Sequence, residues 1–109
     1  MKKLLIFINN DVVFEFDRAL LLEDEQLAFL EQMDTDMESG IKIHGELIEN
    51  PDDQQRATFI ALNLIKALQQ SNDAVIFASC AYLVNRFPEL IEVHAKDHED
   101  VVKIELIEE

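Results

Sequence analysis

The sequence predicts an α+β fold: an N-terminal β-hairpin, two to three central helices and a C-terminal β-hairpin. The hairpins are expected to join into a four-stranded antiparallel sheet packed on the helices. Three observations carry this reading. Period-two alternation of apolar and polar residues is confined to the two ends, and three- and four-residue apolar spacing with capping residues is confined to the middle. Only two glycines and two prolines occur in 109 residues, so few breaks are forced and regular elements should be long. Strands segregated from helices in this way mean α+β. An isolated hairpin is marginal in water, so the two should pair edge to edge, within one chain or across a dimer. Residues 1–109 read as one domain of common size.

Leu4 to Ile8 and Val12 to Phe16 are apolar runs separated by Asn9, Asn10 and Asp11. Asparagine and aspartate tolerate the left-handed backbone that a tight hairpin turn requires. Glu23, Asp24 and Glu25 then suit the positive end of a helix dipole. Leu27, Leu30, Met33, Met37 and Ile41 follow on one helical face. The pattern predicts helix through about Glu49, with Gly40 as the place where it would break and Gly45 as a second point of close packing. A cap at Gly40 and a short strand over Ile41 and Ile43 are the other options.

Asn50 is read as an N-cap, with Pro51 at the first helical position, where no amide donor is needed. Ala57, Ile60, Ala61, Leu64, Ile65 and Leu68 form the apolar face of the helix that follows. Ser71, Asn72 and Asp73 make a short connection and a new cap. From Ala74 to Phe87 the chain is apolar almost all round, which predicts a central buried helix. Ala74, Ala78, Ala81 and Asn85 form an edge of small residues where another element can approach. Pro88 stops the helix at Phe87. Ile91, Val93 and Ala95 alternate with Glu92 and His94, and Val102, Ile104 and Leu106 alternate with Lys103 and Glu105. The polar stretch Lys96 to Asp100 between them completes a second hairpin.

Twenty-three acids face nine bases, for a formal charge of -14. Nucleic-acid phosphates and anionic membranes both bind through Lys and Arg, so neither is expected as a partner. Such a surface favours solubility and a protein partner that is basic where it is charged. Mimicry of nucleic-acid charge fits less well, because the acids are scattered along the whole chain. The single cysteine, Cys80, excludes an intramolecular disulfide and a cysteine-based zinc cluster. Two lysines and a short apolar run at Met1 to Ile8 resemble the start of a signal peptide, but Asn9, Asn10 and Asp11 interrupt it. Ala74 to Val84 is too short to span a bilayer. A cytoplasmic location is therefore expected.

Chemistry-bearing patterns are sparse. His94 and His98, with Asp97 between them and Glu99 and Asp100 behind, hold the imidazole and carboxylate donors that suit a divalent metal, although a loop of solvated charge accounts for them more simply. Asp34, Asp36, Glu38 and Gly40 approach a calcium loop, but the required glycine and terminal glutamate each slip by one position. Glu15 lies between Phe14 and Phe16, and strand alternation points it outward. His44 fits a hydrogen-bonded boundary histidine. No phosphate loop, nucleophile elbow or His-Glu-x-x-His motif is present in the sequence. Phe59, in a helix's polar stripe, and Phe87, at the end of the apolar helix, are the candidate interface residues, together with the hairpin edges.

The expected function is that of a non-enzymatic protein–protein interaction or regulatory domain acting as a homodimer, with no cofactor. The alternative is a metal-dependent or small-molecule enzyme built on His94, His98 and nearby carboxylates.

Overall fold

The computed structural model describes residues 3–19, 21–99 and 101–109. Met1 and Lys2, which entered the reading of the chain's start, and Asp100, counted with the candidate metal donors, lie outside the described residues. The described elements run β1 (Lys3–Ile8), β2 (Asp11–Asp17), α1 (Asp24–Glu38), β3 (Ile41–Ile43), β4 (Glu46–Ile48), α2 (Asp53–Gln70), α3 (Asp73–Arg86), β5 (Leu90–His98) and β6 (Val101–Glu108).

Both terminal hairpins form. Asn9 and Asn10 adopt φ of 50° and 73° at the first turn, the paired left-handed backbone of a two-residue hairpin loop. The second hairpin is longer than the polar stretch implied, since β5 continues through Lys96 and Asp97 to His98.

The four strands lie in the order β2-β1-β5-β6. The expectation of a purely antiparallel sheet is corrected at its centre, where β1 and β5 run parallel, with Ile6 beside Val93 and Phe7 beside His94. Hairpin patterns encode pairing within each ribbon. The direction of one ribbon against the other depends on where the intervening helices deliver the chain. The seam is held at both ends. The Arg18 guanidinium donates to the Pro88 carbonyl, and the Asn9 backbone N–H donates to the Ala95 carbonyl at 2.9 Å.

The first helix stops at Glu38, so the expected helix through Glu49 is also corrected. Gly40 takes φ of +116°, and a Cβ there would lie 3.3 Å from the Ile48 carbonyl oxygen. The chain then forms a small antiparallel hairpin, with Ile41 paired to Ile48. His44 and Gly45 turn it with positive φ. Nothing packs against Gly45, so its role is the turn and not a close approach. The spacing of Met37, Ile41 and Ile48 fits a helix, but Ile41 and Ile43 also alternate, and the two glycines decide for the strand.

A third correction concerns α2. Asn50 sits in left-handed backbone at φ of 50°, and Asp52 is the cap. Its Oδ1 accepts from Gln55 N at 2.8 Å, and its own N–H donates to Gln55 Oε1 at 2.9 Å. This reciprocal box satisfies two otherwise orphaned donors. Asn72 caps α3 by accepting from Val75 N at 3.3 Å.

One sheet face carries Leu4, Ile6, Phe16, Val93 and Ala95 into the core, where they join Leu30, Met37, Ile60, Leu64, Cys80 and Leu83 from the helices. The opposite face is left uncovered by helix. Among the described residues no helix is long and apolar enough to cross a membrane.

Candidate interaction surface on the helical layer

The small-residue edge of α3 creates a trough in the helical layer. Ala74 and Ala78 contribute little volume where α1 passes α3. The Phe29 ring of α1, 55% exposed, stands above them. One cavity of about 470 Å³ lies between α1 and α3, lined by Leu30, Phe77, Ala78 and Ala81 beside Phe29. A second, of about 360 Å³, lies on the other side of the same ring, against Met33, Ile60, Ala67 and Val75. Both linings are mostly apolar. Charged residues flank them: the exposed Glu25 lies one helical turn before Phe29, Asp73 lines the first cavity and Lys66 lines the second.

Below the trough a polar bracket ties the three helices together. The Tyr82 hydroxyl donates to Asp34 Oδ1 at 2.5 Å. Arg86 donates to Asp34 Oδ2 through Nε at 3.0 Å and through its terminal nitrogen at 2.8 Å. Arg56 approaches Oδ1 at 3.8 Å. Burial pushes the Asp34 pKa up, but the Tyr82 hydroxyl and the Arg86 and Arg56 cations outweigh it and hold the carboxyl below the ordinary value. Both arginines of the three helices are thereby committed to one carboxylate, and the exposed charge left on those helices is acidic except for Lys66.

The residues singled out in the sequence fall as follows. His94 and His98 both lie on β5. Four residues of strand separate them by about 13 Å, so the two rings do not converge. The His94 ring instead stacks on Phe7, with centroids 4.2 Å apart and planes 4° apart. Its Nε2 meets Glu92 Oε1 at 2.8 Å. Asp97 alternates to the other face, and its side chain accepts from Asn9 Nδ2 at 3.2 Å. Among the described residues, no three His, Cys, Asp or Glu side chains are gathered as a metal site. The calcium-like stretch is helical through Glu38, with Asp34 held in the bracket and Asp36 accepting from Gln32 Nε2 at 2.8 Å. Glu15 points outward to Lys3 at 3.3 Å. His44 is exposed and bonds through Nε2 to the Val102 carbonyl at 2.8 Å.

Phe59 and Phe87 are half-buried and pack against the core, Phe87 lying 6.4 Å from the Tyr82 ring. The exposed ring of the helical layer is Phe29, which the sequence reading passed over. Its signal was the same one that drew attention to Phe59: an aromatic outside the apolar stripe of its helix. The chain matches no model of a known protein family, no curated protein and no solved structure.

Proposed function

We propose that the chain is a non-enzymatic protein-binding domain, acting as a homodimer, whose helical layer takes a basic protein partner as an adaptor or regulator would. The observation that supports this reading is Phe29, more than half exposed over an apolar trough, on a layer rich in exposed carboxylates. A hydrophobic centre ringed by polar groups is the usual anatomy of a protein contact, and aromatics are favoured in it. The trough suits the apolar face of an amphipathic helix. The acids around it suit lysines and arginines on that helix's other face.

Calorimetric titration with an amphipathic peptide, leucine at helical spacing and lysine elsewhere, tests the reading. Micromolar binding is expected, weakening as salt is raised and lost in Phe29→Ser. A Phe29→Ser protein that binds the peptide as tightly as the wild type removes the trough from consideration.

A further inference from the structure

Lys66 is the one exposed cation on the three helices, and it stands at the trough. It lines the second cavity together with Asn63 and Gln70. From Ala57 to Gln70 no other residue of α2 is charged, so no acid lies one turn away from it on its own helix. The next acid along the chain, Asp73, lines the first cavity. Lys66 makes no ion pair with any described residue, whereas Arg56 and Arg86 are both held by Asp34.

The facing wall of the second cavity is Phe29 and Met33 of α1, and its rim has the opposite sign. Glu25, Phe29, Gln32 and Asp36 follow at three- and four-residue steps and so share one stripe of α1. Glu25 and Asp36 are exposed, one on either side of the Phe29 turn. The trough therefore has a negative rim along α1 and a single positive point on an otherwise uncharged rim along α2.

The lining follows α2 from Ile60 to Gln70, a run of about 15 Å, or roughly three turns of a docked helix. A helix laid there with its apolar face down turns one flank to α1 and the other to α2. A uniformly basic helix sets a cation against Lys66. A carboxylate at that place replaces repulsion by attraction.

We infer that the partner helix carries opposite charges on its two flanks, with lysine or arginine over Glu25 and Asp36 of α1 and an acidic residue over Lys66 of α2. Turning a helix end for end in the trough exchanges its flanks, so the same pattern admits one direction of docking. Lys66 is then the residue that sets specificity. The inference rests on the helix-binding reading of the trough and narrows the partner's sequence.

Calorimetric titration with two helical peptides of identical composition tests it, with circular dichroism as the folding control for each protein. Both peptides carry leucines on the docking face and lysines on one flank. The first has glutamates on the second flank and lysines on the solvent face, and the other exchanges those two sets. Their net charges are equal, so long-range attraction to the acidic chain does not separate them. The wild type binds the flank-glutamate peptide about threefold tighter, the scale of exposed ion pairs. Lys66→Glu abolishes or inverts that preference. Lys103→Glu, at an exposed position of β6 in the sheet, makes the same change in net charge and leaves the preference intact. A wild type that binds neither peptide overturns the helix-binding reading itself. A wild type that binds both but does not prefer the flank-glutamate peptide overturns the flank pattern alone. So does a preference that survives Lys66→Glu or is lost in Lys103→Glu.

Discussion

Asn9 and Asp97 clasp the two hairpins at one end of the parallel seam. Asn9 Nδ2 donates to Asp97 Oδ2 at 3.2 Å, and the Asp97 backbone N–H donates to Asn9 Oδ1 at 3.1 Å. Asn9 also turns the first hairpin with φ of 50°. One side chain therefore serves both the local turn and the long-range join.

Asp97→Ala removes one exposed bond and is expected to cost about 0.5–1 kcal/mol. Asn9→Ala loses both side-chain bonds and forces a Cβ into left-handed backbone, for roughly 2 kcal/mol or more. Asn9→Gly relieves the backbone penalty and should fall between them. Urea unfolding of the three variants checks the order, and an Asn9→Ala protein as stable as the wild type removes the clasp.

The Asp34 bracket makes part of the stability dependent on acid. The folded pKa lies below the ordinary 3.8, so the ionised form is favoured in the fold. Its contribution is complete above the unfolded value and is lost as the pH falls through the folded one. Asp34→Asn should lose about 2 kcal/mol at neutral pH, the scale of charged hydrogen bonds. The gap to the wild type should narrow at pH values below 3.8. A gap that stays constant into strong acid means the carboxylate charge plays no part.

Tyr82 reports on the same bracket from the other side. Burial raises its pKa, and the hydrogen bond to Asp34 and that group's negative charge raise it further, from 10.0 to about 12, against a smaller opposing effect of Arg56. The raised value favours the neutral phenol in the fold. Its contribution is present below the unfolded value and is lost as the pH rises through about 12. Tyr82 is the chain's one tyrosine, and there is no tryptophan, so tyrosinate absorbance follows it without interference. The midpoint should fall toward the ordinary value in Asp34→Asn, and an unchanged midpoint would sink the assignment.

Crowded carboxylates repel in the compact state, so sodium chloride should raise the melting temperature. The measurement belongs at low protein concentration, where self-association does not contribute. A melting temperature that falls from low to moderate salt contradicts the prediction.

Features set by a few neighbouring residues were legible in the sequence. Asn9 and Asn10 tolerate the left-handed turn, Asn72 offers a cap, and the apolar stretch from Ala74 became a helix that buries Ile76, Cys80, Tyr82 and Leu83. Ambiguity arose where two local patterns overlapped. Met37, Ile41 and Ile48 fit helical spacing, yet the backbone of Gly40 and Gly45 made a strand pair of the same residues. At Asn50 and Asp52 two good capping residues stood on either side of Pro51, and reciprocal bonding with Gln55 selected the second.

The chain's own order of residues determined its period, its turns and its acidic charge, because each follows from backbone preference or composition within one short segment. Tertiary structure alone decided the parallel seam between β1 and β5, the convergence of Asp34, Arg56, Tyr82 and Arg86, and the exposure of Phe29. Those depend on how distant elements lie against one another. Packing sets that arrangement, and no single segment carries the information.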